Sequence, residues 1–333
     1  MGDSARGCGE VSDVKPFHVA VLMGGWSAER EVSLSSGRGV AKALDNLGHR
    51  VVAIDMERDI AAKLTLAAPD VVFNALHGTP GEDGSVQGML DIMGLAYTHS
   101  GLTTSVIAID KELTKQALVP HGIRMPAGKV VSSESLYAGD PLPRPYVLKP
   151  VNEGSSVGVA IVTDASNYGN PIAREAEGPW KHFDHLLAEP FVAGKELTVA
   201  VLDEKDGPRA LAVTELKIDS GFYDYEHKYT DGITTHVCPA EIPADIAEAA
   251  MRMAAEAHRL LGCHGCSRSD FRWDDTQGEA GLYLLEVNTQ PGMTPLSLVP
   301  EQARHVGMSY EALVQRLIEE ALERKALDRG TKA

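Results

Sequence analysis

The sequence predicts an α/β protein, α+β in its later parts, in three domains of which the first is built on a parallel sheet. Three observations carry this reading. Short β-branched runs alternate with helically spaced segments up to about position 110, which implies parallel strands joined by crossover helices. Strands then follow one another through turn-rich links, as antiparallel sheets do. A chain of 333 residues with 44% hydrophobic content can also bury the core of two or three domains.

His18 to Met23 is an apolar run that ends in Gly24-Gly25, and Ser27 to Leu47 follows with Val32, Val40, Ala43 and Leu47 at helical spacing. Val51 to Ile54 and Val71 to Leu76 are further strands, and Val86 to Met93 is a helix after the turn Gly81 to Gly84. In such a sheet the loops Gly24 to Ala28 and His77 to Gly84 leave strand carboxyl ends, where ligands bind. Asp110 to Val119 is a helix ending near Pro120. Tyr146 to Lys149, Val157 to Val162, Leu186 to Phe191 and Leu197 to Leu202 then form a smaller antiparallel unit around the loop Pro150 to Ser156. More strands from Ala210, a polar aromatic loop at Ser220 to Asp231, the helix Ala244 to Leu261, a hairpin and a closing helix Ser309 to Glu323 complete the chain. The expected domains are 17–112, 113–198 and 199–325, after a disordered tail at 1–16.

A formal net charge of -16 argues against nucleic-acid or anionic-membrane partners, because phosphate backbones attract basic surfaces. Any phosphate must be held locally. No run approaches the length of a membrane span, the first sixteen residues lack a signal-peptide core, and Arg6 spoils Met1-Gly2 as a myristoylation signal, so a cytoplasmic location is expected. Cys8, Cys238, Cys263 and Cys266 are too few for a disulfide scaffold. Cys263-His264-Gly265-Cys266 has no second ligand pair for a structural zinc and reads as buried thiols.

The most informative segment is the hairpin Cys266 to Trp273 and Leu282 to Asn288 around the polar loop Asp274 to Gly281. Pairs 270/286 and 268/288 share one index sum, with the centre at position 278 inside that loop. Asp270 then faces Glu286, Arg268 faces Asn288, and all four point one way. Facing acids repel unless a cation lies between them, and the oxygen donors Asp270, Glu286 and Asn288 suit a hard divalent ion such as Mg2+. The alternative is a solvated face with an ordinary ion pair, but Leu284, Leu285 and Val287 point to a buried strand. Lys149 followed by Glu153-Gly154-Ser155-Ser156-Val157-Gly158 is a glycine-rich loop with a lysine, suited to phosphate yet weak evidence alone. Neither a Walker pattern nor the dinucleotide glycine spacing is present, and Asp55 reads as structural.

A series of motifs, in order from about Val19 to Val314, resembles the D-alanine–D-alanine ligase family. They are Met23-Gly24-Gly25-Trp26-Ser27-Ala28-Glu29-Arg30-Glu31-Val32-Ser33, Ala75-Leu76-His77-Gly78 with Gly81-Glu82-Asp83-Gly84, and Asp110-Lys111. The series continues with Lys149-Pro150 and its glycine loop, Phe222-Tyr223-Asp224-Tyr225-Glu226 with Lys228-Tyr229, and Leu285-Glu286-Val287-Asn288-Thr289 with Pro291-Gly292-Met293-Thr294. The resemblance implies the ATP-grasp fold, with ATP between the central and C-terminal domains. It implies joining of two D-alanines through an acyl phosphate for peptidoglycan precursors, with two Mg2+ or Mn2+ ions and a homodimer formed by the N-terminal domain. Residue by residue, Asp270, Glu286 and Asn288 resemble the metal ligands. Lys111, Lys149, Glu189, Val192, Glu196 and Lys228 resemble the ATP contacts, and Glu29 and His77 the pocket of the first D-alanine. A buried histidine with a backbone partner is the plainer reading of His77. Arg268 and the Gly292 amide resemble an oxyanion site, and Ser297 with the Leu298 amide a seat for the second carboxylate. Ser155, Tyr229 and Glu29 resemble a hydrogen-bonded set that ties three domains together on closure. Glu29-Arg30 and Lys228-Tyr229 match the dipeptide-forming type, with D-lactate or D-serine as the alternative second substrate and a non-catalytic nucleotide-binding regulator as the remaining reading. Departures at Pro190-Phe191, Gln290 and Pro295-Leu296 bear on adenine packing and the second site.

Overall fold

The computed structural model describes residues 16–154, 158–166, 172, 179–218 and 234–331. β1 (His18–Met23), β2 (Arg50–Asp55), β3 (Val71–Asn74) and β4 (Ala96–Tyr97) form a parallel sheet in the order β2-β1-β3-β4. Alternation decides how it is covered. Val19, Val21 and Phe73 face α1 (Arg30–Asn46), while Ala20, Leu22 and Val72 face α2 (Ile60–Ala67) and α3 (Ser85–Met93). The turn after β1 needs glycine at position 24: φ is +78° there, and a Cβ would lie 2.1 Å from Asp55 Oδ1. Asp55 is structural, as expected, held by Arg30 at 2.5 and 2.7 Å.

α4 (Leu102–Ile109) and α5 (Lys111–Leu118) lead out of the first sheet. A second sheet, β5 (Lys129–Ser132), β6 (Tyr146–Pro150), β7 (Ala160–Val162) and β8 (His185–Pro190), is antiparallel in the order β5-β8-β6-β7. Its core is its own, built on Tyr146, Leu148, Trp180 and Leu186. The third sheet combines β9 (Lys195–Glu204), β10 (Gly207–Ile218), β11 (Thr234–Val237), β12 (Cys266–Trp273) and β13 (Leu282–Asn288) in the order β11-β10-β9-β12-β13. Leu197 to Leu202 therefore does not belong to the smaller unit, where the sequence places it. It lies at the centre of the larger sheet, and a boundary at 198/199 would cut β9. α5 likewise buries Leu118 in the core of this third sheet, so a boundary at 112/113 would cut a helix packed there.

One face of the five-stranded sheet, with Val199, Val201 and Phe271, packs on α6 (Ala244–Leu261). The opposite face places Ala200, Leu202 and Cys266 in the same core as Val19 and Phe73 of the first sheet. Between them lie α7 (Leu298–His305) and α8 (Tyr310–Thr331). First and third sheets thus share a core while the second keeps a separate one. The helices α2, α4 and α7, the strands β4 and β5, and the run of α8 beyond Glu323 are additions to the elements read from sequence. The tail 1–15, the loop 219–233 and residues 155–157 lie outside the described residues. No described helix is long and apolar enough to cross a membrane.

Candidate active site

β12 and β13 pair in the register the index sums require. Arg268 lies opposite Asn288 and Asp270 opposite Glu286, and the register then shifts so that Phe271 meets Leu284. That shift is a β-bulge, with Leu285 as the extra residue. Its consequence is local and chemical. Strict alternation would send Leu285 and Glu286 to opposite faces, yet both line one cleft together with Asp270 and Arg272.

The cleft lies between the second and third sheets. Val147, Phe191 and Leu285 give it apolar walls. At one side Lys149 Nζ lies 2.5 Å from Glu189 Oε2, and Lys115 Nζ closes on the other oxygen of Glu189. Burial opposes charge on Glu189, but Lys149 and Lys115 together hold its carboxyl below the usual range. Arg272 organises the opposite edge: it pairs with Glu196 at 3.5 Å, donates to the carbonyls of Val192 and Gly194 at 3.1 and 3.0 Å, and lies 5.6 Å from the Phe191 ring centre.

Lys111 stands where the cleft deepens. Asp110 caps α5, accepting from the amides of Glu112 and Leu113 at 2.9 Å, and so fixes Lys111 as the first helical residue. Lys111 Nζ donates to the Glu153 carbonyl at 2.6 Å and lies 3.4 Å from Glu286 Oε2. Burial holds the Lys111 pKa below its ordinary value, with Lys149 pushing the same way and Glu286 opposing. A second cavity of about 370 Å³ shares Lys111, Glu153 and Glu286 with the first and reaches Glu82, Gly154 and Asn288.

Beyond it lie Glu29 and His77, both buried. Ser27 Oγ donates to the His77 carbonyl at 2.6 Å and accepts the Glu29 amide at 3.1 Å. His77 has side-chain partners too, Ser36 Oγ at 3.2 Å and Glu82 Oε1 at 3.5 Å, so the plainer reading of it describes part of its surroundings. Burial, reinforced by Glu29, pushes the Glu82 carboxyl above the ordinary range despite His77. A Cβ at Gly154 would lie within 3.5 Å of Glu82 and 3.8 Å of Glu29, so the loop closes directly over this acid pair.

Arg268 holds Asp270 in a two-pronged pair, Nε to Oδ1 at 2.9 Å and a terminal nitrogen to Oδ2 at 2.8 Å, and Thr198 Oγ1 donates to Oδ1 at 2.6 Å. Asn288 Oδ1 accepts the Gln290 amide at 2.8 Å. Gly292 approaches Ser297 closely enough that a Cβ would lie 3.0 Å from its Oγ. Ser297 is the residue before α7 and Leu298 its first, so the Leu298 amide belongs to a helix amino terminus, where anions are favoured.

The structure thus gathers Lys111, Lys149, Glu189, Val192, Glu196, Asp270 and Glu286 around one cleft, with Asn288 in the adjoining cavity. Glu29 and His77 form a neighbouring cluster, and Gly292 and Ser297 pack together. Ser155, Lys228 and Tyr229 lie outside the described residues. Three contributors escaped the sequence reading. Lys115 lies one turn from Lys111 on the buried stripe of α5, and two lysines on such a stripe were the available signal. Arg272 continues the alternation of Arg268 and Asp270. Glu82 stood inside a quoted motif, but only its contact with His77 reveals its place.

Two antiparallel sheets closing on a cleft that carries lysines on one wall and carboxylates on the other, beside a parallel-sheet unit, define an ATP-grasp protein. A family model described as D-ala D-ala ligase C-terminus matches residues 136–319, and one described as D-ala D-ala ligase N-terminus matches residues 60–100. The chain is 75% identical to a D-alanine–D-alanine ligase of Rhizorhabdus wittichii over 93% of its length and 98% of that protein. It is 74% identical to one of Sphingopyxis alaskensis, covering 92% and 98%. A crystal structure of D-alanine–D-alanine ligase from Bacillus anthracis complexed with ATP superposes with a TM-score of 0.76 at 27% identity, over 94% of this chain and 99% of that one. The chain belongs to the D-alanine–D-alanine ligase family.

Proposed function

We propose that the protein joins two D-alanines into D-alanyl-D-alanine at the expense of ATP, giving ADP and phosphate, for the building of peptidoglycan precursors. The observation that carries this reading is the continuity of the two cavities: the cleft lined by Lys149, Glu189 and Glu196 adjoins, at Lys111 and Glu286, a cavity that reaches Glu82 of the Glu29–Glu82–His77 cluster. A carboxylate is a poor acyl donor to an amine until one of its oxygens is made a leaving group. One D-alanine carboxylate oxygen therefore attacks the γ-phosphorus, ADP departs, and the amine of the second D-alanine attacks the acyl carbon, expelling phosphate and losing a proton. Positioning and charge neutralisation do most of this work.

Glu189 and the backbone near Val192 would receive the adenine, Glu196 the ribose, and Lys111, Lys149 and Lys228 the phosphates. Glu29 would hold the ammonium of the first D-alanine beside His77. Arg268 and the Gly292 amide would stabilise the oxyanion of the tetrahedral species, and Ser297 with the Leu298 amide would seat the second carboxylate. Closure of the two loops that carry Ser155 and Tyr229 would keep water from the acyl phosphate.

The donor set fits divalent ions. Asp270 and Glu286 face each other across the ladder, with Asn288 two residues along on the same side. Asp270, Glu286 and Asn288 would hold two Mg2+ or Mn2+ ions, which when bound neutralise charge on the terminal phosphates. Arg268, now on both oxygens of Asp270, would turn toward the substrate. We further propose a cytoplasmic homodimer formed by the parallel-sheet unit.

Incubation with ATP, Mg2+ and D-alanine should release phosphate in step with dipeptide, and Glu286→Gln should abolish both while the fold persists by circular dichroism. Absence of D-alanine-dependent release overturns the reading. A faster reaction with D-lactate or D-serine as the second substrate would replace D-alanine in that role.

A further inference from the structure

The motif Cys263-His264-Gly265-Cys266 has no part in the proposed reaction, yet it sits in a cluster of ionisable groups. Asp203 at the end of β9, His264 in the turn after α6 and Glu320 on α8 each present one ligand atom, all within 4.8 Å of one another. His264 Nδ1 lies 3.3 Å from Asp203 Oδ2 and 3.9 Å from Glu320 Oε1. From these positions we infer a second metal site, distinct from the Mg2+ ligands, that takes one borderline divalent ion of the Zn2+ type on Asp203, His264 and Glu320.

One buried carboxylate oxygen of this cluster has no hydrogen-bond partner among the described residues. Glu320 is 8% exposed; its Oε1 accepts from Arg324 at 3.2 Å, while Oε2 has no such partner. His258 is 1% exposed, and its Nε2 stands 3.3 Å from Asp203 Oδ1, behind the cluster. A buried carboxylate oxygen without a donor is costly unless a cation reaches it.

The ligands are also held in advance. The His264 amide donates to Ser100 Oγ at 3.2 Å, and the Asp203 amide donates to the Gly265 carbonyl at 2.9 Å. Gly265 has φ +67°, and a Cβ there would lie 3.2 Å from the His99 amide nitrogen, so the turn that presents His264 is fixed by its neighbours. His258 Nδ1 lies 2.8 Å from Ser267 Oγ, leaving Nε2 to orient Asp203. Glu320 stands between Arg316 and Arg324 on α8; the first pairs with Glu323 and the second also donates to the Tyr97 carbonyl.

One imidazole nitrogen and two carboxylate oxygens, with water completing the shell, suit Zn2+ better than Mg2+, which takes oxygen ligands. The thiols are not ligands. Neither belongs to the cluster of converging ligand atoms, and Cys266 Sγ faces His99 Nδ1 at 3.5 Å. Asp203 lies five residues along β9 from Thr198, the partner of Asp270, or about 17 Å at the rise of a strand. The ion would clasp α8, which covers the parallel sheet, to the end of the five-stranded sheet.

The test is calorimetric titration of the tag-free, chelator-stripped protein with Zn2+ in excess Mg2+, alongside visible spectra with Co2+. One ion per chain should bind, His264→Ala and Glu320→Gln should each weaken it by at least about tenfold, and Cys263→Ser should leave it unchanged. The Co2+ complex should lack a thiolate charge-transfer band. No saturable binding, binding indifferent to His264→Ala, or a thiolate band would overturn the site. Dipeptide formation with Mg2+ should be the same in His264→Ala, which separates failure of this site from failure of the proposed reaction.

Discussion

Two buried lysines close on one carboxylate at Glu189, and this sets a measurable pH dependence. With Glu189→Gln, Lys115 and Lys149 keep their positions but lose the only anion placed between them by these contacts. Breaking a buried ion pair from one side costs about 3–5 kcal/mol, and urea unfolding at pH 7 should show a loss of that size. The sign of the pH effect follows from the depressed pKa. The stabilisation by Glu189 is fully present above its ordinary value of 4.5 and is lost as pH falls through the lower folded value. The gap between wild type and variant should therefore narrow below about pH 4.5; a gap that persists unchanged to pH 3 would contradict the assignment. Arg268 holds a related tension, since it holds both oxygens of the acid proposed to accept a metal ion.

At the scale of elements, the hairpin of β12 and β13 is the decisive unit. Its inner half was legible because alternation and constant index sums are geometric necessities, and Arg268, Asp270, Glu286 and Asn288 pair as they require. Its outer half was not, because a bulge inserts one residue without any mark in composition. Leu285 is the residue so displaced, and it lines the cleft proposed to take ATP. Leu285→Ala should raise the KM for ATP by about five- to thirtyfold, from about 1–2 kcal/mol of lost apolar contact, with kcat much less affected. Steady-state kinetics with ATP varied will show this split, and a fall in kcat at constant KM would place Leu285 in the chemistry instead. β9 was misplaced for a comparable reason: Leu197 to Leu202 follows β8 closely in sequence, and only its pairing with β12 and β10 shows which sheet it completes.

For the whole molecule, the division of the core matters most. The parallel sheet and the five-stranded sheet share one cluster through α8, whereas the four-stranded sheet has its own around Tyr146 and Trp180. The shared core is pinned by a polar contact that the sequence could flag only as a departure. Gln290 is buried, accepts from Asn74 Nδ2 at 3.1 Å and donates to the Asn74 carbonyl, joining the strand end of β3 to the segment after β13. Gln290→Ala removes the side-chain donor to the Asn74 carbonyl and one of the two acceptors of Asn74 Nδ2, which keeps the Gly81 carbonyl, at a cost of about 1–3 kcal/mol. Urea denaturation should show this loss, and an unchanged midpoint would mean that water substitutes for the amide. Lys111, Glu286 and the acid cluster come together only because this joint sets the first sheet against the third.

The central claim is that a D-alanine carboxylate takes the γ-phosphoryl group of ATP before the peptide bond forms. Its most direct test uses D-alanine carrying 18O in both carboxyl oxygens with unlabelled ATP, followed by mass spectrometry of the released phosphate. The account predicts one labelled oxygen in each phosphate, with the other carboxyl oxygen of the first residue retained in the peptide carbonyl. Phosphate free of label, released at the rate of dipeptide formation, would contradict it.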